Sequence, residues 1–431
     1  MADPGPLAGT LVEVEVGDPA HGGFCIARHA GRVVFVRHAL PGERVRALVT
    51  EDRGSFCRAD AVEILTPSTD RVHAPCPHSG PGRCGGCDWQ HVRADAQREL
   101  KASVVREQFR RLAHLDVSAL LTRVEPLPLE EGGGLLGWRT RITYAVGPDG
   151  HAGLHRYRSH EVEPIDECPL GAPGIGDSSA LVGTWDGFTG VEAVRGVGPA
   201  VTLLGHRPGP GRHARGRRPP DRTEVLDGPD RLRYQVRDRE FEIAATGFWQ
   251  VHPAAAQTFA ATMLDDLRPA AGESGLDLYA GAGALTAALA DAVGRTGRVV
   301  GVESSARAVA DAAANLAGLP WARVRRGRVE PSLLAGLDLA PDVVVLDPPR
   351  AGAGRQTMAA VLALAPRAVS YVACDPASLA RDVATAQQQG WRLTSLRAFD
   401  AFPMTHHVEC VALLEPAEHP GPEDLQTPRT T

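Results

Sequence analysis

The sequence predicts a protein of mixed α/β class in which a doubly wound parallel sheet fills the C-terminal half. Five apolar runs there alternate with helical stretches, which is the pattern of an open α/β sheet. They are Ser274–Ala280, Arg298–Val302, Asp342–Leu346, Ser370–Ala373 and Val408–Leu414. Near the N-terminus, Val12, Val14 and Val16 instead alternate with glutamates at the two-residue period of a β-strand. A small β domain is therefore expected ahead of the α/β domain.

The composition is that of a soluble protein, and its net charge does not indicate nucleic-acid binding. The chain has 431 residues, a net charge of −6, 43% hydrophobic residues and, at Lys101, a single lysine. This length allows two to four domains. Because there is no apolar run of membrane-spanning length and no signal-peptide pattern, we expect a cytoplasmic protein with no membrane association. In that compartment the eight cysteines are not expected to form disulfides.

Residues 7–67 are predicted to form a small OB-like barrel. Short β-rich runs are separated there by turn signals at Gly22-Gly23, Ala30-Gly31 and Pro41-Gly42. A barrel of this kind either binds RNA or is purely structural, and these residues alone do not distinguish the two.

Residues 68–91 form a Gly/Pro-rich loop with three closely spaced cysteines. Cys76, Cys84 and Cys87 lie in it, and Cys168 follows far downstream. Four thiolates from one loop and one distant residue predict a metal or cluster site, since four exposed free thiols would oxidise. An iron–sulfur cluster and zinc both fit this donor set. Cys25 and Cys57 are predicted to be core residues of the barrel.

Residues 92–233 are predicted to be a central β-rich domain that begins with a helix over Val92–Leu115. A basic face is expected on this helix, either solvated or directed to RNA: Arg98, Lys101, Arg106, Arg110 and Arg111. Trp138–Ile165 is predicted to be β, with a turn at residues 147–150. Basic residues alternate along it and could suit RNA: Arg139, Arg141, Arg156, Arg158 and His160. The Arg-rich segment Gly205–Arg222 is predicted to be a mobile loop, and residues 416–431 a disordered tail.

The α/β domain, residues 234–415, carries a nucleoside-cofactor pattern at its strand ends. Gly281 and Gly283 follow the first strand and let backbone approach a ligand, while Glu303 ends the second strand, where a carboxylate can bind two ribose hydroxyls. Thr286 stands where a third glycine would accommodate a pyrophosphate, which favours S-adenosylmethionine over NAD. Asp347 begins Asp-Pro-Pro-Arg at the end of the strand predicted over Asp342–Leu346, beside the same crevice.

Two further residues carry candidate chemistry. Cys374 ends a strand at the ligand-facing edge, where a cysteine is either a buried core residue or a nucleophile. Glu409 is either a surface residue or a base. It follows His407 by two residues, so both are predicted to share one face of the last strand.

At these residues the chain resembles the RNA uracil-5-methyltransferase family, which makes 5-methyluridine in ribosomal or transfer RNA. The matching stretches are F-W-Q-V-H-P, D-L-Y-A-G-A-G, D-P-P-R, A-C-D-P-A-S-L-A-R-D and D-A-F-P-M-T-H-H-V-E. The resemblance runs from the barrel, which is similar to the RNA-binding TRAM domain, to Leu414. It implies a Rossmann-like class I methyltransferase domain and cofactor contacts by Gln250, Tyr279, Glu303 and Asp347. It also implies that Cys374 is the nucleophile and Glu409 the base.

The four-cysteine pattern is similar to the family's 4Fe–4S branch, although the gap between Cys76 and Cys84 is two residues longer than usual there. His252 and Asp375 stand where asparagine is usual. We interpret these two departures as changes in substrate contacts.

The chemistry of uracil requires such residues independently of the resemblance. The 5-carbon is too weak a nucleophile until a thiolate adds at the 6-carbon, and a base must later remove the proton at the 5-carbon. The uracil must also leave its stacked position in the RNA and enter the pocket, which calls for RNA-binding domains.

We favour 23S ribosomal RNA as the substrate, with transfer RNA as the alternative, and we expect a monomer. Two other classes of function are weighed. A catalytically inactive RNA-binding protein would not need Cys374 and Glu409 together. An amino-methyltransferase needs no cysteine and carries Asn-Pro-Pro-aromatic where this chain has Asp347-Pro-Pro-Arg350.

Overall fold

The computed structural model describes residues 7–129, 134–209 and 222–417, and the chain divides into two compact units. The first comprises Met1–Val105, Arg123–Thr258 and Phe399–Val408. The second comprises Arg106–Thr122, Phe259–Ala398 and Glu409–Thr431. The short segment Phe399–Val408 therefore packs within the first unit, although strands of the second unit flank it in sequence.

The first unit begins with a closed five-stranded barrel, which confirms the predicted N-terminal barrel. Its strands are β1 (Leu11–Ala20), β2 (Phe24–His29), β3 (Arg32–Arg37), β4 (Arg44–Asp52) and β5 (Phe56–Thr66), in the order β1-β2-β3-β5-β4. The alternating pattern sends Val12, Val14 and Val16 inward, where each is at most 4% exposed. Cys25 and Cys57 lie in the same core, as predicted.

The rest of the first unit is mainly antiparallel. It contains the first part of α1 (Ala94–Leu112), then β6 (Val124–Pro126), β7 (Arg141–Val146), β8 (Ala152–His155), β9 (Val162–Pro164), a 3-10 helix (Ser179–Leu181), β10 (Gly190–Arg195), β11 (Val201–Arg207), β12 (Arg222–Asp227), β13 (Arg231–Val236), β14 (Arg239–Ala244) and the start of α2 (Ala255–Leu267). One sheet has the order β12-β11-β10-β7-β8-β9, and β13 pairs with β14 in a hairpin.

The Arg-rich segment differs from its prediction at both ends. Gly205–Arg207 continue β11 and Arg222 begins β12, because these residues pair with each other across the two strands. The rest of the predicted loop, from residue 210 to residue 221, lies outside the described residues.

The second unit is a doubly wound α/β sheet, which confirms the predicted fold class. Its elements are β15 (Ser274–Leu278), α3 (Ala284–Val293), β16 (Arg298–Glu303), α4 (Ala306–Asn315), β17 (Ala322–Arg326), α5 (Pro331–Ala335), β18 (Val343–Leu346), α6 (Arg355–Leu362), β19 (Ala368–Ala373), α7 (Pro376–Gln387), β20 (Trp391–Asp400) and β21 (Glu409–Pro416). The strand order is β17-β16-β15-β18-β19-β21-β20. The pairs from β17 to β19 are parallel, and β21 runs antiparallel to β19.

The apolar runs seen in the sequence follow from burial of this sheet. All four residues of β18 have no exposed surface, as expected for a parallel strand that is covered on both faces. The last strand begins at Glu409, so His407 precedes it and the predicted shared strand face is wrong. Pro416, predicted to begin the tail, ends that strand, and residues 418–431 lie outside the described residues. Among the described helices, none is long and apolar enough to cross a membrane.

Candidate active site and cysteine cavity

The loop between β15 and α3 bends sharply at the cofactor-binding candidates. Tyr279, Gly281 and Gly283 have φ angles of 66°, 53° and 90°. At Gly281 a side chain would meet open space, whereas at Gly283 a Cβ would lie 3.3 Å from Ala312. Gly283 thus allows α3 to begin close to α4, and Gly281 leaves bare backbone that a ligand can approach.

Glu303 joins this loop to the next helix. Its Oε2 accepts a hydrogen bond from the Gly281 amide at 3.1 Å, and its Oε1 accepts one from the Ser305 amide at 2.7 Å. Oε1 also accepts the Ser304 hydroxyl at 3.2 Å, whereas Oε2 keeps a second lone pair. The carboxylate is therefore held in place and can still accept a ligand hydroxyl at Oε2. This geometry fits the ribose of S-adenosylmethionine.

Behind the loop lies Asp277, a residue without exposed surface that sequence analysis did not assign to the site. Thr286 donates its hydroxyl to Oδ2 at 2.5 Å, while Oδ1 has no partner among the described residues. Burial raises the pKa of Asp277 to about 7, opposed by the Thr286 hydrogen bond and reinforced by the charges of Asp347 and Glu303. Burial also raises the pKa of Asp347 to about 7.

Cys374 and Glu409 lie opposite each other on neighbouring strands. Ala373 and Cys410 are register partners in the antiparallel pair of β19 and β21. Cys374 directly follows β19, and continuing the register by one residue places it opposite Glu409, whose charge acts on the thiol. The thiol and the carboxyl are placed within reach of one reacting group.

The electrostatics of this pair are coupled to Asp347 and Arg350. Burial, then the charges of Glu409 and Asp347, raise the pKa of Cys374 to about 12, and the Arg350 guanidinium opposes this. Burial and Asp347 hold the pKa of Glu409 well above its usual range, again against Arg350. Arg350 therefore favours the thiolate, and Glu409 binds a proton readily.

Helix α7 fixes the loop that carries Arg350. Asp375 caps the helix by accepting the Ser378 amide at 2.7 Å, and the Ser378 hydroxyl donates to the Arg350 carbonyl at 2.6 Å. Asp382 accepts from the Ala353 amide at 2.8 Å and from the Tyr371 hydroxyl at 2.7 Å. Sequence analysis did not assign these supports, although Asp followed by Pro at the first helical position is an N-cap signal.

The other two candidates of this half of the sequence belong to the first unit. His252 accepts the Ala254 amide at Nδ1, 3.2 Å away, and its ring stacks on Trp138 with centroids 6.0 Å apart. Burial lowers the pKa of His252 to about 4, so the ring is neutral at pH 7. Gln250 lies just before it, and its cofactor role stays a prediction.

The four candidate metal-ligating cysteines line one cavity of about 290 Å³ in the first unit: Cys76, Cys84, Cys87 and Cys168. Burial raises the pKa of each thiol. The Cys84 sulfur accepts from the Gly86 amide at 3.4 Å, and the Cys87 sulfur accepts from the Gln90 side-chain amide at 3.3 Å. Arg139, whose charge lowers the pKa of Cys168, lines the same cavity. Within the described ranges, no three His, Cys, Asp or Glu residues form a group that could hold a metal ion.

The basic residues predicted to face RNA are largely paired within the first unit. Arg141 contacts Glu192 at 3.2 Å, and Arg156 contacts both Glu161 and Glu163 at 2.9 Å. Lys101, predicted on a charged helix face, has no exposed surface because it pairs with Asp400. The prediction for Lys101 was wrong, since helical spacing does not reveal a distant partner.

Comparisons with known proteins agree with this architecture. Residues 7–62 match the TRAM domain, and residues 229–417 match the tRNA (Uracil-5-)-methyltransferase family. The chain is 48% identical over 440 residues to an uncharacterized RNA methyltransferase of Streptomyces coelicolor, covering 97% of this chain and 95% of that protein. A Bifidobacterium longum relative with the same description is 36% identical, covering 93% and 96%.

The fold is also found in a solved structure. The Pyrococcus abyssi tRNA (uracil-54, C5)-methyltransferase, in complex with S-adenosyl-L-homocysteine, superposes with a TM-score of 0.67 at 21% identity. The match covers 93% of this chain and all of that one, which supports the fold. The sequence matches to the two families and to full-length relatives establish the family. This chain belongs to the S-adenosylmethionine-dependent RNA (uracil-5-)-methyltransferases.

Proposed function

We propose that this enzyme methylates the 5-carbon of a uridine in RNA through a covalent adduct between Cys374 and the uracil. The observation that carries the proposal is the placement of Cys374 opposite Glu409 on adjacent strands, with Arg350 acting on both groups. S-adenosylmethionine would supply the methyl group and leave as the neutral thioether.

The residues of this chain account for each remaining step. Burial keeps Cys374 protonated at pH 7, so the thiol first gives up its proton to solvent, a loss that the Arg350 charge favours. The thiolate then adds to the 6-carbon, and the electron pair moves into an enolate that makes the 5-carbon nucleophilic. After the 5-carbon takes the methyl group, the Glu409 carboxylate removes its proton, and the electron pair expels the thiolate from the 6-carbon. Glu409 must be ionised when it acts, and its raised pKa then makes it a stronger base than an ordinary carboxylate.

Two variants separate the roles. Cys374→Ala should bind RNA and form no adduct, whereas Glu409→Gln should add, accept the methyl group and stall as a protein–RNA conjugate. Incubation with RNA and labelled S-adenosylmethionine, followed by denaturing electrophoresis, shows both. Methylation by Cys374→Ala would exclude the covalent mechanism, and normal turnover by Glu409→Gln would assign the base to another group.

We further propose that the cysteine cavity holds a 4Fe–4S cluster. The cavity volume exceeds what one metal ion fills, and N–H donors to the sulfurs of Cys84 and Cys87 suit anionic thiolates that ligate a cluster. Protein purified without oxygen should be brown and contain iron and sulfide, and Cys84→Ala should lose both. Stoichiometric zinc without iron would replace this assignment.

For the substrate we propose a uridine in 23S ribosomal RNA, a preference that comes from the likeness to the cluster-bearing branch. Transfer RNA is the second candidate, favoured by the description of the matching family. Mapping 5-methyluridine in both RNA classes from a deletion strain and its parent distinguishes them. We also propose a cytoplasmic monomer, which light scattering of the purified protein tests for oligomeric state.

A further inference from the structure

The segment Asp400–His406 of the first unit is held by side chains far away in sequence. Lys101 Nζ contacts Asp400 Oδ1 at 2.5 Å and donates to the Phe402 carbonyl at 3.0 Å, across 299 and 301 residues. The Lys101 and Asp400 side chains are 0% and 2% exposed. A compact ammonium has three donors to satisfy here, fewer than the five of a guanidinium.

Gln97, one turn earlier on α1, is also fully buried and holds the same segment. Its Oε1 accepts the Met404 amide at 2.8 Å, and its Nε2 donates to the carbonyls of Trp89 and Val92 at 3.2 and 2.8 Å. Met404 has a φ of 67°, which is costly for a residue other than glycine. The hydrogen bonds of Gln97 therefore help to maintain a strained conformation.

Asp88, which directly follows Cys87, is the third residue that holds the segment Asp400–His406. Its Oδ2 accepts from the His406 amide at 3.1 Å and contacts Nδ1 of the same residue at 2.6 Å. The amides of Asp88 and Trp89 both donate to the Met404 carbonyl, at 3.1 and 3.0 Å. The end of the cysteine loop is thus bonded to both ends of the Met404–His406 stretch.

We propose that Asp88, Gln97 and Lys101 are positioning residues for the removal of the 5-carbon proton by Glu409. The inference rests on the proposed function. The segment they hold leads within three residues into Glu409, the first residue of β21. Each residue of a free loop would have roughly 1–2 kcal/mol of backbone conformational entropy. Fixing the segment in the folded protein therefore limits the positions that the Glu409 backbone can adopt.

The test separates proton removal from the earlier steps. With 5-fluorouridine RNA the adduct forms and accepts the methyl group, but the 5-carbon carries fluorine and no proton. The trapping rate therefore reports attack by Cys374 and methyl transfer, the steps that precede proton removal. Gln97→Met and Lys101→Met remove the polar contacts at similar side-chain size. Asp95→Asn, an exposed residue on the same helix, is the matched control.

For Gln97→Met and Lys101→Met we expect turnover of uridine RNA to fall roughly tenfold to a hundredfold, since small misplacements of a reacting group have this effect. Trapping with 5-fluorouridine RNA should stay near the wild-type rate, and the conjugate should accumulate with ordinary RNA. Asp95→Asn should change neither rate. If Lys101→Met does not fold, Gln97→Met decides.

Two outcomes would overturn the proposal: a parallel loss of turnover and trapping, which marks a merely structural role, or no change in either rate. Both differ from a failure of the proposed function itself. In that case either the wild-type protein would not be trapped by 5-fluorouridine RNA, or Glu409→Gln would turn over normally.

Discussion

Replacing Asp277 by Asn should make the protein progressively more stable, relative to the wild type, as the pH rises. The carboxyl of Asp277 has no exposed surface, and its pKa rises from 3.8 to about 7 on folding, mainly through burial. Between these values the unfolded chain has lost the proton and the folded chain keeps it. The folded state therefore binds more protons, and the stability of the wild type falls with rising pH.

The magnitude follows from the width of this window. Well inside this window each pH unit costs the wild type about 1.4 kcal/mol. Because the slope falls to half at the folded pKa, the total from pH 5 to pH 7 is about 2–2.5 kcal/mol. Asn keeps an oxygen for the Thr286 hydroxyl and does not titrate, so its own effect is independent of pH. For a unit of this size the gain corresponds to a relative rise in Tm of about 5–10 °C.

The assay is thermal unfolding of wild type and Asp277→Asn at pH 5, 6, 7 and 8. Groups that do not interact with Asp277 titrate alike in both proteins and cancel in the difference. Asp338→Asn serves as the control, because that side chain is 99% exposed and should give a difference independent of pH. A constant difference between Asp277→Asn and the wild type would show that the Asp277 carboxyl ionises normally and would refute the reasoning.

Three further predictions concern the same unit. Glu303→Ala should weaken S-adenosylmethionine binding roughly tenfold to a hundredfold by calorimetry, since a charged hydrogen bond is worth about 1.5–3 kcal/mol; unchanged affinity would remove Glu303 from the site. Asp375→Ala should lower the free energy of unfolding by about 1 kcal/mol through loss of the α7 cap, whereas Asp375→Asn should retain most of it, measured by urea unfolding. Tyr371→Phe should cost about 1 kcal/mol in the same assay, because the buried Asp382 carboxylate loses one donor; equal stability would show that the remaining amide donors suffice.

The parts of the fold that could be predicted from sequence are those set by local patterns. Burial on both faces makes the strands of a parallel sheet continuously apolar, so Val343–Leu346 was recognisable without a structure. The polar residues at strand ends, such as Glu303 and Cys374, could be located for the same reason. The carboxyl end of each parallel strand lies at the ligand-facing edge of the sheet, and this holds whichever residues the strand packs against.

The partners of the buried and paired basic residues could not be predicted, because each pair depends on a contact that no local pattern encodes. Lys101 has the spacing of a solvent-facing helix residue, and only Asp400 explains its burial. Arg141 and Arg156 alternate as a basic strand face would, yet acidic neighbours from other strands and turns pair with them. Local spacing predicts the face of a helix or strand on which a polar residue lies, whereas the partner of that residue is set by tertiary packing.

Because Lys101 is buried, its chemical reactivity can report the separation of α1 from the segment Asp400–His406. It is the sole lysine of the sequence, and apart from the amino terminus it is the sole amine that acylating reagents could modify. In the folded state its Nζ is inaccessible, and burial lowers its pKa against the pull of Asp400. Acylation at residue 101, or cleavage there by a lysine-specific protease, therefore requires α1 to separate from Asp400–His406. The rate of either reaction would measure how often this separation occurs, without a probe being added to the protein.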